Sequence, residues 1–346
     1  MAVHDILHSL FSLDHVTFVL GVSSCILGML LVVVCKYTVS RENSDHTGKA
    51  AVYSSAQCKN ADCVRCSAKE SLNAAIQERM KSTLEFSARN STIKLSDRMI
   101  KSFKHYFAMT NSADRIDNSN QNVRASNLQN PSIFYMQNLS SDYCFEELTE
   151  YSEYDKVLTI LKSSFEEVRE EFDGLWSDFV DEIDADGWQE NSLSDGGGKW
   201  FTFHLINQGR RQTLNMNRCP ATSHMIKKVE TLAVNNCIFG FVTFSVLMPG
   251  THITSHCGAT NTRIRCHLGL HIPEDCTLTV NGQDLHWTEG KCLLFDDSFQ
   301  HEARHSGLSS SSYPRSVLMI DLWHPELSRE ERDILQNVFH SDLLNL

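Results

Sequence analysis

From Trp200 to Trp323 apolar residues recur at every second position, in short runs broken by turn residues, and this alternation constrains the fold more than any other property of the chain. Six segments carry it: Trp200–Ile206, Phe239–Leu247, Arg263–Ile272, Thr277–Val280, Lys291–Phe295 and Arg315–Trp323. The pair Asn281-Gly282 after Val280 predicts a tight hairpin, because both residues tolerate the positive φ that a two-residue turn needs. Several short strands in succession predict a sandwich or barrel, of which the jelly roll is one form.

Arg263–Ile272 has two unlike faces. Ile264, Cys266, Leu268, Leu270 and Ile272 point one way, and Arg263, Arg265, His267, Gly269 and His271 the other. The basic face is either a solvated surface or the wall of an anion-binding cavity. Two histidines flank this strand in sequence: His256, in the loop Thr254-Ser-His-Cys-Gly258, and His301, which closes Phe295-Asp-Asp-Ser-Phe-Gln-His301. Arg315 then opens a strand on the face it shares with Val317 and Met319. Two neutral imidazoles from neighbouring strand ends bind a divalent metal, and an arginine further along grips a carboxylate with its planar fork. The order His, His, Arg and its spacing are those of iron and 2-oxoglutarate dioxygenases.

Ahead of the strands, apolar residues at three- and four-residue steps from Leu158 through Phe165, Phe172 and Phe179 to Ile183 predict one long amphipathic helix over Tyr154–Ile183. Its other face is acidic. Seventeen acids against three bases between Asp142 and Glu190 hold a net of −14, more than the whole chain's −12. That face reads as a solvated helix surface, with calcium or a partner as the alternatives. The overall charge excludes a chain built to neutralise nucleic-acid phosphates.

The N-terminus suggests a membrane. Val16–Cys35 is a run of 20 residues without a charge, which as a helix spans a bilayer core of about 30 Å. No Lys or Arg precedes it, so an uncleaved anchor is favoured over a signal peptide. Residues 36–145 read as a stem, with a disulfide or a metal site in the Cys58, Cys63, Cys66 cluster, a helix over Lys69–Arg89 and a polar linker over Thr110–Pro131. Lys36 and Arg41 after the span place the bulk of the chain in the cytoplasm by the positive-inside rule. The sequons at Asn90 and Asn138 and the twelve cysteines suit a lumen instead.

The chain resembles the aspartyl/asparaginyl β-hydroxylases, and within them the aspartate β-hydroxylase domain-containing proteins. The resemblance rests on Trp200-Phe-Thr-Phe, Gln208-Gly-Arg-Arg211, Ser245–Gly250, the run His256–Leu270, Glu289–His301 and Asp321-Leu-Trp-His-Pro325, and it covers about half the chain, Asp155–Asp333. It implies a mainly β protein: a double-stranded β-helix (jelly-roll) catalytic domain with flanking helices over residues 146–346, preceded by a 1–15 cytoplasmic tail, the 16–35 signal-anchor and a low-order luminal stem. The implied cofactors are Fe(II), with 2-oxoglutarate and O2 as co-substrates.

Carried over position by position, His256 and His301 match the iron ligands, and Arg315 the partner of one 2-oxoglutarate carboxylate. Ser245, Arg265, Cys266 and His267 fall on the stretches that hold the co-substrate's other end, with Trp200 at the pocket border. Arg263 matches the arginine that receives the substrate's acidic side chain, and Asp297 a group that orients a metal-bound water. Gly258 stands where the common facial triad has a carboxylate, leaving two protein ligands. No second substrate arginine is found upstream of Trp200, where the sequence runs Ser194-Asp-Gly-Gly-Gly198. The resemblance also implies a type II membrane protein of the endoplasmic reticulum or Golgi, glycosylated at Asn90 and Asn138. Its substrate would be a secretory-pathway protein, such as one with epidermal-growth-factor-like domains. The competing reading is a membrane-anchored pseudoenzyme or binding module that keeps the barrel without turnover.

Overall fold

The alternating region folds as two antiparallel sheets, and helices cover one of them. In chain order the elements are α1 (Glu70–Arg89), α2 (Asp97–Asn111), α3 (Ser152–Ser163), α4 (Phe165–Val180), β1 (Trp188–Glu190), β2 (Ser194–Gly196), β3 (Trp200–Asn207), β4 (Arg210–Arg211), α5 (Thr213–Arg218) and α6 (Pro220–Lys228). They continue with β5 (Val242–Leu247), β6 (Thr251–His256), β7 (Arg263–His271), β8 (Cys276–Val280), β9 (Gln283–Leu285), β10 (Cys292–Phe295), β11 (His301–His305), β12 (Arg315–Trp323) and α7 (Arg329–Val338). The computed structural model describes residues 63–64, 66, 70–90, 94–111, 128–145, 151–307 and 313–345. These belong to one compact unit, Ser55–Leu346.

The larger sheet has the order β1-β3-β5-β12-β7-β10, with β4 paired to β3, and the smaller has β2-β6-β11-β8-β9. Strict alternation gives the larger sheet an apolar outer face. There Phe203, Phe244, Ile264, Leu268, Leu318 and Ile320 pack under Tyr154, Leu161, Val168, Phe172, Met225 and Ile226 of the helices. A second apolar cluster lies between the sheets, built from Leu247, Ile253, Leu278, Val280, Trp287, Phe295 and Val317. Burial of this kind contributes about 25 cal/mol per Å2 of apolar surface, so the two clusters supply the main driving force for closing the double sheet. The Asn281-Gly282 turn has φ of 53° and 75° and joins β8 to β9.

Three expectations change. The helix over Tyr154–Ile183 is two helices broken at Ser164, where Ser163 turns its hydroxyl onto the Ile160 carbonyl at 3.0 Å. Adjacent serines that bond back to the backbone weaken the helical ladder, and the chain bends there. The strand expected from Phe239 starts at Val242, because Gly240 sits in a turn where a Cβ would meet the Val234 carbonyl oxygen at 1.6 Å.

The boundary at 145 also moves. Leu72, Ile76 and Met80 of α1 and Met99 and Phe103 of α2 form one core with Phe134, Met136, Leu335 and Phe339, so much of the expected stem packs into the same compact unit as the sheets. The bidentate pair of Arg98 with Glu331 fastens α2 to α7, whose first turn is closed by a capping box at Ser328. Val16–Cys35 and Cys58 lie outside the described residues, among which no helix is long and apolar enough to cross a membrane.

Candidate active site

A β-bulge brings the two histidines together. His301 pairs with His256, but Ala303 pairs with Ile253, so two residues of β11 face three of β6. Ile253 is buried between the sheets, and strict alternation from it would turn residue 255 inward instead of 256. The extra residue shifts the phase and sets His256 beside His301, with ring centroids 4.2 Å apart. The Nδ1 of His256 lies 2.8 Å from the Thr254 carbonyl and that of His301 lies 2.9 Å from the Phe299 carbonyl. A carbonyl only accepts, so each neutral ring keeps its proton on Nδ1 and its lone pair on Nε2, the form that ligates a metal. Among the described residues no group of three or more His, Cys, Asp and Glu is placed to hold an ion. An ion between these rings would have two side-chain ligands of these types, the imidazole pair.

Gly258 explains the missing third side chain. A Cβ there would lie 2.5 Å from the Asp297 carboxyl carbon and 2.6 Å from both its oxygens. The Asp297 carboxylate thus fills the space a ligand from position 258 would need. It is held by Arg263 Nη2 at 2.6 Å and Arg265 Nη1 at 2.9 Å. Burial would raise its pKa, but the two guanidiniums outweigh that and hold the carboxyl well below the usual carboxylate range. The neighbouring Asp296 has no such cations, and burial pushes it up to about 7.

The basic face of β7 is neutralised from within. Asp321, paired with Arg265 across the β7–β12 ladder, accepts from Arg263 Nη1 at 2.8 Å and Arg265 Nε at 2.9 Å. Arg263 also donates to the Phe239 carbonyl, and its side chain is 3% exposed. The arginine expected to meet a substrate acid is therefore buried, with its fork spent on two aspartates of its own chain. Cys266 points the opposite way, into the core under the helices, and hydrogen bonding to Cys292 together with burial raises its thiol pKa. It does not line the cavity with His267.

Arg315 is the contrasting cation. It is 1% exposed, its Nε has no partner among the described residues, and Nη1 reaches the Ser245 carbonyl only at 3.4 Å. Burial lowers its pKa to about 10, which leaves it charged at neutral pH. His267 is similar. Its Nδ1 accepts from Trp287 Nε1 at 3.0 Å, so its proton sits on Nε2, a buried donor with no acceptor among the described residues. Burial and then Arg315 hold the His267 pKa well below its usual value, so the ring is neutral. Trp200 completes this wall by donating from Nε1 to Ser245 Oγ at 3.0 Å. A buried cation with one long contact and a buried N–H with none among the described residues are costly unless an anion meets them, and a carboxylate fits that need.

The sequence did not assign Trp287 or Asp321 a role. Asp321 had a signal, an acid on the inner face of a strand otherwise apolar. Trp287, in the loop before β10, had none. Of the two sequons, Asn138 is exposed in a turn at φ 59°, and Asn90 is half-buried just beyond α1. On the acidic helix, Glu171 accepts from the backbone N–H groups of Ala221 and Thr222 at the start of α6, and Asp173 pairs with His271 at 2.6 Å.

Fold and site together define a mainly β protein of two antiparallel sheets, with a histidine pair on the smaller sheet and a buried arginine on the larger. The aspartyl/asparaginyl beta-hydroxylase family model matches residues 162–325. Human aspartate beta-hydroxylase domain-containing protein 2 is 36% identical over 282 residues, 82% of this chain and 70% of that protein. Mouse aspartate beta-hydroxylase domain-containing protein 1 is 40% identical over 184 residues, 53% of this chain and 49% of that one. Among solved structures, a Pseudomonas putida prolyl-4-hydroxylase is similar at 14% identity, covering 46% of this chain and 86% of its own, with a TM-score of 0.28. The chain belongs to the aspartyl/asparaginyl β-hydroxylase family.

Proposed function

We propose that this protein is an Fe(II)- and 2-oxoglutarate-dependent dioxygenase that hydroxylates an Asp- or Asn-type side chain of a secretory-pathway protein. The observation that carries the reading is the pairing of two histidines whose Nδ1 atoms face backbone carbonyls with a buried arginine that meets no carboxylate among the described residues. His256 and His301 would hold the iron. Arg315 would take one carboxylate of 2-oxoglutarate, and His267 Nε2–H and Ser245 would orient the rest of it beside Trp200. When bound, iron and 2-oxoglutarate supply O2 activation coupled to loss of CO2 and formation of succinate.

The chain's own residues do the positioning. Arg263 and Arg265 fix Asp297 as a carboxylate packed against Gly258 in the histidine loop, from where it would orient a water at the centre. The apolar residues packed between the sheets lower the local polarity around Arg315, which strengthens its attraction for an anion. The membrane anchor at 16–35, the luminal type II topology and an epidermal-growth-factor-like substrate belong to this proposal.

A binding module without turnover is the second reading, and the spent fork of Arg263 favours it. Incubating the purified protein with Fe(II), labelled 2-oxoglutarate, O2 and candidate Asp/Asn peptides separates the two. Succinate release above a His301→Ala control is expected for the dioxygenase. Equal release by both, with metal and 2-oxoglutarate still bound by the wild type, would leave the binding module.

A further inference from the structure

Trp287 touches both side chains that carry a buried N–H without an acceptor among the described residues, His267 and Arg315. It is 5% exposed, donates from Nε1 to His267 Nδ1 at 3.0 Å with the two rings 16° from parallel, and lies with its face 4.8 Å from the Arg315 guanidinium carbon. No other described residue is recorded in both contacts. We infer that Trp287 is a positioning residue that sets the cavity for a dicarboxylate, by fixing His267 as its Nε2–H tautomer and by covering one face of Arg315. The inference rests on the reading that the cavity takes 2-oxoglutarate.

A neutral imidazole has one donor and one acceptor, and which nitrogen carries the proton is decided by the partner of the other. A donor at Nδ1 forces the proton to Nε2, where it meets a carboxylate oxygen. Without that donor the opposite tautomer becomes accessible, and its lone pair at Nε2 repels the same oxygen. The indole ring meanwhile lies 4.8 Å from the guanidinium carbon and covers the cation without accepting from any of its N–H groups in a conventional hydrogen bond. Phenylalanine at 287 keeps a ring over Arg315 and removes the donor to His267, so it isolates the tautomer effect.

The test is a double-mutant cycle on 2-oxoglutarate affinity, measured by calorimetry with Mn(II) in place of iron so that no turnover occurs. Trp287→Phe is expected to weaken binding about tenfold in the wild-type background, the worth of one hydrogen bond to a charged group. In a His267→Ala background the same change is expected to cost less than about threefold, because its target is gone. Equal losses in both backgrounds, or no loss in the wild type, overturn the inference and leave the co-substrate reading standing. No binding by the wild type overturns both. A second measurement needs no variant: the 15N shifts of the His267 ring must show a pyrrole-type nitrogen at Nε2 and a pyridine-type nitrogen at Nδ1, and the reverse assignment overturns the inference.

Discussion

The inner face of β7 and β12 has two regions of opposite electrostatic character. In one, Arg263, Arg265, Asp297 and Asp321 form a closed set in which two cations meet two anions, with only Arg265 partly exposed. In the other, among the described residues, the buried Arg315 meets no carboxylate and the Nε2–H of His267 beside it meets no acceptor. The difference separates structure from function. Charges that complete one another inside the chain fix the strands and hold Asp297 against Gly258, whereas the charges left incomplete are the ones the proposed function assigns to a ligand.

The comparison breaks if the closed set is not structural. Asp321→Ala strips one anion from two buried arginines, and a loss of about 3–5 kcal/mol is expected on urea unfolding. A loss below about 1 kcal/mol would mean the set relaxes into water and does not brace the sheet. Gly258→Ala tests the close approach of the Asp297 carboxylate. With a Cβ 2.5 Å from the carboxyl carbon, a cost of about 1–3 kcal/mol is expected, read as a lower Tm.

The smallest effect at neutral pH is expected for Asp296, and for both adjacent acids the slope against pH is the readout. Asp296, raised to about 7 by burial, lends stability that is fully present below about pH 4 and lost as pH rises through about 7. Asp297, held low by its arginines, does the reverse, and its contribution is present above about pH 4 and lost as pH falls toward its depressed pKa. Asp296→Asn should flatten the stability profile between about pH 4 and 7, and Asp297→Asn should flatten the acid limb below it. Identical profiles for the two variants would show that the arginines do not distinguish these neighbours.

Much of the larger sheet was legible because alternation is a local signal. Arg263–Ile272 was expected with both its faces and is found as β7 over Arg263–His271. The chemistry on its basic face was not legible. Asp297 and Asp321 come from 34 and 58 residues away, and no local pattern in the sequence shows that they return to cancel Arg263. The bulge that turns His256 inward is likewise invisible without the pairing partner, and so is Trp287 under Arg315. Residues 128–145 read as the tail of a polar stem, yet Gln129 hydrogen-bonds Asp296 and Ser298, and Phe134 enters a core shared with α7. Composition reports how polar a segment is and leaves out what it will pack against.

The central claim is that Arg315 is buried for a ligand and not for the fold. Arg315→Met separates these directly when 2-oxoglutarate affinity and Tm are measured on the same preparation. The account predicts at least about a hundredfold loss of affinity, with a Tm equal to or above wild type because an uncompensated buried cation has been replaced by an apolar side chain. Unchanged affinity with a lowered Tm would contradict it.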